Sequence, residues 1–314
     1  MEEPKVNPEL AEQLKKLQEK YAVMGQDLSS YLDGLLYSDY LTYWDYIHLD
    51  TLLSLQNPKT SFPDEHIFII YHQITELYFR LIILELEQIT AKENPDEKFF
   101  SERLDRVNRY FGHLENSFDI MVKGMEREQF LKFRMSLLPA SGFQSAQYRI
   151  IELYATDFIN LVAEKDRVSI RDGGNIDDVL PNLYWRSGAT ELATGKKTLT
   201  LQQFEKKYLH QFRALGISLA TKNLYQLYKK HFSGNQTIIE RLRAFDTLAN
   251  VLWPLAHMKS AAHYLEKDPE DIKATGGTNW QKYLPPRFQK VIFFPELWSD
   301  QEKAEWGKAA FIRK

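Results

Sequence analysis

Apolar residues recur along this chain at helical spacing, and no block alternates with the two-residue period of a strand. After an Asn7-Pro8 start, Leu10, Leu14, Leu17, Tyr21 and Met24 alternate steps of four and three. So narrow a stripe seams one helix to another chain, or lays it across a bundle. A short helix is predicted over Tyr43 to Leu55, ended before Pro58. Behind Pro63, the acidic pair Asp64-Glu65 suits a helix start, and Phe68, His72, Ile74, Leu77, Leu81 and Leu84 predict a buried helix after it. Leu104, Val107, Phe111, Leu114, Phe118 and Met121 predict a long amphipathic helix. Further helices are expected over 144–162, 199–232 and 236–266.

Two stretches break the pattern. Residues 164–198 carry the turn signals Asp172-Gly173-Gly174-Asn175, Pro181-Asn182 and Gly195-Lys196-Lys197, and read as a long irregular excursion. Residues 271–286 form a second irregular loop, holding Thr275-Gly276-Gly277-Thr278. Phe293-Phe294-Pro295-Glu296-Leu297-Trp298 then closes the core before a charged tail. No repeat or low-complexity linker divides the chain. The simplest reading is one all-α, helical-bundle domain over residues 1–314, with residues 1–40 as an N-terminal helical arm.

Composition narrows the chemistry. A 314-residue chain with 44% hydrophobic content can bury a sizeable core. Its 40 basic and 43 acidic residues, dispersed along the sequence, leave no electrostatic footprint for nucleic acid. The absence of Cys removes thiolate ligands, disulfides and Cys nucleophiles together. With no signal-peptide pattern and no apolar run approaching a membrane span, the expectation is a cytoplasmic protein without a membrane partner.

The eight histidines exclude several classes. His66 and His72 are six apart, as are His257 and His263, which leaves each pair about 240° apart around a helix, so neither makes a zinc face. Walker, Gly-x-Gly-x-x-Gly and Gly-x-Ser-x-Gly motifs are missing. Two isolated imidazoles on separate apolar helices remain, His72 and His257. Such a residue is more often a hydrogen-bonded core histidine. One helix-borne imidazole is also what a haem iron takes on its proximal side, with a second available to hold a ligand across the cavity. Arg134 could grip a carboxylate in bidentate fashion, or pair with a surface acid. Ser141-Gly142 could face an anion ahead of a helix, or Ser141 could simply cap that helix.

Taken in order, these blocks resemble the tryptophan 2,3-dioxygenase family. The matching segments are Tyr43-Trp-Asp-Tyr46 through Pro58, Asp64-Glu65 with Phe68-Ile-Ile-x-His72-Gln73-x-x-Glu76, Phe133-Arg134, Ser141-Gly142-Phe143-Gln144-Ser145-x-Gln147-Tyr148-Arg149, His257-Met258, Thr275-Gly276-Gly277 and Phe294-Pro295. The resemblance runs from about residue 40 to 298. It implies a haem b dioxygenase that opens the indole ring of L-tryptophan with O₂. His257 would be the proximal iron ligand and His72 the distal histidine near the indole N–H. Arg134 would clamp the substrate carboxylate, with the Thr275 hydroxyl near its ammonium. Phe68 would pack on the indole, Tyr43 and Tyr46 would stand at the pocket rim, and Ser141 and Gly142 would form the floor beside the haem.

It also implies a homotetramer whose N-terminal arm is exchanged between subunits, with Tyr43 and Tyr46 reaching in from a neighbour. One departure is local: Pro254-Leu255-Ala256 stands where that family carries basic residues, and a proline there needs a helix start or a kink. A relative acting on a modified tryptophan or another aromatic, and a haem-based gas sensor, are the alternatives.

Overall fold

The structure, a computed structural model, describes residues 7–38, 41–137, 142–170, 175–187, 189, 196–265 and 285–308. Among these residues there is no strand; an antiparallel bridge joins Val162 and Leu183. The chain divides into two compact units, residues 1–55 and 56–314.

The first unit holds α1 (Pro8–Val23), α2 (Leu28–Tyr37), α3 (Tyr43–Tyr46) and α4 (Leu49–Leu53). Their starts follow from local chemistry. Asn7 accepts from the Glu9 N–H with Pro8 in the first turn, and Asp27 and Thr42 cap the next two helices. Gly25 adopts φ 66°, the left-handed conformation that lets the chain reverse between α1 and α2. None of the four helices has a buried residue. The α1 stripe therefore stays open, with Leu10, Leu17 and Met24 exposed.

The second unit begins with α5 (Asp64–Ala91), α6 (Glu97–Ser117), α7 (Asp119–Lys123), α8 (Arg127–Phe133) and α9 (Ala146–Ala155). The one-turn helices α10 (Ile176–Val179) and α11 (Tyr184–Ser187) follow. Then come α12 (Leu199–Leu219), α13 (Leu224–His231) and α14 (Gln236–Thr247), a π-helical turn over Leu248–Leu252, and α15 (Trp253–Leu265). Helix α5 packs on α6 and α9, α14 packs on α6, and α15 packs on α6, α7 and α8. Their shared core includes Phe79, Ile82, Leu86, Phe100, Leu104, Phe111, Ile151, Leu242 and Phe245.

The structure corrects several expectations: the helix expected over Tyr43 to Leu55 is α3 and α4, parted by the left-handed His48, and the one expected over 199–232 is α12 and α13, parted at 220–223. Helix α5 turns Tyr71, Phe79, Ile82, Ile83, Leu86 and Ile89 inward, while Ile74, Leu77, Leu81 and Leu84 are exposed. This helix is apolar nearly all round, so spacing alone does not select its core face. Its inward face even takes a carboxylate, Glu85, because Arg103 and Arg106 of α6 reach it at 3.1 and 3.4 Å. By length and composition α5 could cross a membrane. Here it is the central helix of the bundle. The helix expected over 144–162 is shorter: Ser145 caps α9, and after Thr156 the chain takes a 3-10 turn over Phe158–Leu161. The helix expected through Met121 breaks at Phe118, which ends α6 and starts α7.

Candidate active site

His72 lies on α5 one turn after Phe68 and bonds through Nδ1 to the Phe68 carbonyl at 2.7 Å. A carbonyl only accepts, so the neutral ring carries its proton on Nδ1 and leaves Nε2 as an acceptor. The segment around it is pinned from both sides. Gln56 donates to Gln73 at 2.6 Å, and Gln147 of α9 donates to the Glu76 carbonyl and carboxylate at 2.7 and 2.8 Å. Aromatic rings stand beside the imidazole. Phe68 lies 4.1 Å from it, centroid to centroid, and meets Phe133 edge-on at 5.7 Å and Phe130 at 6.2 Å.

His257 lies on α15 between two rings, Phe118 at 4.6 Å and Trp253 at 4.7 Å. Trp253 is one helical turn earlier, so i, i+4 spacing brings the rings together. Phe118 arrives from the α6–α7 break and also meets Tyr71 of α5 edge-on at 5.7 Å. Ser260 and Tyr264 fasten α15 to the carbonyls of Met121, Val122 and Met125.

The two imidazoles differ in exposure but share a direction of pKa shift. His72 is exposed and His257 half-buried. Yet the surrounding protein strips enough water to pull both pKa values down, His257 to about 3. Burial is the largest cause for each, and proximity to His72 lowers His257 further. Both rings are therefore neutral at physiological pH.

Arg134 caps the C-terminus of α8, one residue after Phe133, and is buried at 4% exposure. Desolvation lowers its pKa below the ordinary arginine value. Guanidinium remains charged in proteins, so α8 brings a buried cation next to the Phe130–Phe133 wall. Gly142 is exposed, and a Cβ there would meet nothing within 4 Å, so its surface faces open space. Tyr43 and Tyr46, in the first unit, are 70% and 71% exposed. Ser141 and Thr275 lie outside the described residues.

These residues fit a haem. Among the described residues no three His, Asp, Glu or Cys groups converge on a metal position. A neutral imidazole among aromatic rings, such as His257, could hold a haem iron, which would supply the O₂ chemistry. Sequence reasoning missed Phe118, Phe130 and Trp253. The spacing from His257 could have shown Trp253. Nothing in the sequence pattern points from Phe118 to His257, because their contact joins segments far apart in the chain.

An all-helical unit with two neutral imidazoles, an aromatic wall and a buried guanidinium has the make-up of a helical oxidoreductase. The comparisons with known proteins agree. The family model for tryptophan 2,3-dioxygenase matches residues 34–165. A tryptophan 2,3-dioxygenase of Bradyrhizobium diazoefficiens is 29% identical over 279 residues, covering 83% of this chain and 92% of that protein. One from Bacillus cereus is 28% identical over 285 residues, covering 85% and 94%. One from a Ruegeria species reaches 39% identity over a shorter stretch of 117 residues, 37% of this chain and 42% of that protein. Over most of its length the chain is similar to tryptophan 2,3-dioxygenases.

Proposed function

We propose that the protein is a haem b-dependent dioxygenase that opens the indole ring of L-tryptophan with O₂, giving N-formylkynurenine. The observation that carries this reading is the similarity to tryptophan 2,3-dioxygenases over most of the chain, with Phe118 joining the His257 ring on α15 to Tyr71, the neighbour of His72 on α5. His257 would hold the haem iron, with Gly142 and Ser141 beside the macrocycle. Haem, when bound, supplies the O₂ chemistry that inserts both oxygen atoms across the indole C2–C3 bond.

The protein's own residues bind and orient the substrate. His72 Nε2 accepts a hydrogen bond from the indole N–H and fixes the ring's rotation. As a neutral imidazole of lowered basicity it holds that proton without removing it. Phe68, Phe130 and Phe133 offer a flat apolar wall for the indole. The Arg134 fork takes the carboxylate, and Thr275 would bind the ammonium, as the resemblance implies.

The chain works as a homotetramer with its N-terminal arm exchanged, so that Tyr43 and Tyr46 reach the rim of a neighbouring copy's pocket. Two apolar surfaces support this reading. One comprises α1 to α4, which bury no residue. The other is the exposed α5 row Ile70, Ile74, Leu77, Leu81 and Leu84. Both are surfaces that a lone chain in water leaves uncovered.

His257→Ala tests the assignment. Haem incorporation, read from the Soret band of the purified protein, should be lost in that variant and kept in His263→Ala. The reverse result would refute the assignment of His257.

A further inference from the structure

The helix that carries His257 is interrupted. Helix α14 ends at Thr247, the π-helical turn runs Leu248–Leu252, and α15 resumes at Trp253. The Trp253 N–H bonds back to the Leu248 carbonyl, five residues earlier, as a π-turn requires. The next rung of this ladder would join residue 254 to the Ala249 carbonyl. Residue 254 is proline and has no N–H to give. Ala249 is fully buried, so water does not supply the missing donor. The donor comes from another helix: the Tyr148 hydroxyl, on α9, bonds to the Ala249 carbonyl at 2.8 Å.

We propose that Tyr148 is a positioning residue for His257. Its hydroxyl stands in for the N–H that Pro254 lacks, holds the chain in the π-turn, and so sets the direction in which the His257 imidazole faces. The geometric lever is large. A π-turn places one extra residue in the helix, which turns everything after it by about 100° relative to an uninterrupted α-helix. His257 comes one turn after the interruption and inherits that rotation in full.

The ring contacts run the same way. Phe79 lies 5.3 Å from the Tyr148 ring and 6.0 Å, edge-on, from Trp253, and Trp253 is 4.7 Å from His257. Tyr148 is itself placed by the Ser145 cap of α9, whose hydroxyl accepts the Tyr148 N–H at 3.3 Å. Burial raises the phenol's pKa well above 10.0, so it remains a donor at any physiological pH. The segment that lines the pocket and the helix that carries the ligand are thus joined at the one carbonyl Pro254 leaves open.

The inference rests on His257 as the haem ligand, and its test separates the two. Tyr148→Phe, Pro254→Ala and the double variant would be compared with the parent holoprotein. The readouts are the rate of haem loss and amide hydrogen exchange over residues 250–257. Removing the hydroxyl strands a buried carbonyl, so Tyr148→Phe should release haem about tenfold faster and speed exchange by a similar factor. Pro254→Ala restores the backbone donor, so the double variant should recover most of both losses. A merely structural tyrosine would not be rescued by a change at residue 254. Tyr148→Phe within twofold of the parent in both readouts would overturn the proposal. A double variant no better than Tyr148→Phe would do so too. The exchange readout needs no haem, so it decides the proposal even if the parent protein carried none.

Discussion

The Nδ1 of His72 is committed to the Phe68 carbonyl at 2.7 Å, and that bond leaves Nε2 as an acceptor. A ring fixed in this tautomer can receive an indole N–H but has little drive to deprotonate it. His72→Ala should therefore slow turnover by roughly ten- to a hundredfold, the value of one hydrogen bond of about 1–3 kcal/mol, and leave the haem in place. Steady-state kinetics and the Soret absorbance of the variant check both parts. Loss of haem together with activity would make His72 a structural residue or a ligand.

Arg134 is buried beside the Phe130–Phe133 wall, where a charged partner is worth more than at the surface. Truncating one side of a buried charged hydrogen bond costs about 2–5 kcal/mol. Arg134→Leu should raise the KM for L-tryptophan by an order of magnitude or more. Tryptamine, which lacks the carboxylate, should be a poor substrate of the parent. Equal turnover of tryptamine and L-tryptophan would rule out the clamp.

The all-α class was legible in the sequence because helical spacing persists through nearly every segment. The face of α5 was not. With apolar residues all round, only the partners of Glu85 and the packing of Phe79 against α9 decide which side goes in. His72 and His257 stood out as isolated imidazoles in apolar runs. That their helices meet around Phe118, which touches Tyr71 of α5 and His257 of α15, is a tertiary fact. Pro254 signalled an interrupted helix. The sequence could not say that Tyr148, more than a hundred residues earlier, supplies the missing donor.

Asp246 shows how the C-terminal segment is held. Its fully buried carboxylate accepts from the backbone N–H groups of Phe293 and Phe294, the Trp298 indole and the Asn250 amide. Asp246→Asn replaces one accepting oxygen with a donor aimed at other donors. Two unpaired buried groups at about 1–3 kcal/mol each imply a loss of roughly 2–6 kcal/mol. Urea denaturation followed by tryptophan fluorescence should show this as a lower midpoint. An unchanged midpoint would mean that the segment is anchored elsewhere.

Glu152 carries a pH dependence of definite sign. Burial raises its pKa from 4.5 to about 6, against the opposing pull of Arg149 at 3.2 Å and a hydrogen bond from Tyr184 at 2.6 Å. Between pH 4.5 and about 6 the folded protein keeps a proton that the unfolded chain releases. Stability from this group is therefore present below 4.5 and declines as pH rises to about 6. The slope is about 1.4 kcal/mol per pH unit, roughly 2 kcal/mol in all. Glu152→Gln should be less stable overall, because Arg149 loses its partner, and should lack this slope. The difference in unfolding free energy between parent and variant, measured across the window, checks it. A constant difference would contradict the raised pKa.

The central claim is that this chain inserts both atoms of O₂ into L-tryptophan. The most direct measurement is mass spectrometry of the product formed from L-tryptophan by the ferrous holoprotein under ¹⁸O₂. The account predicts N-formylkynurenine carrying two labelled oxygens. A singly labelled hydroxytryptophan, or recovery of unreacted L-tryptophan alone, would contradict it.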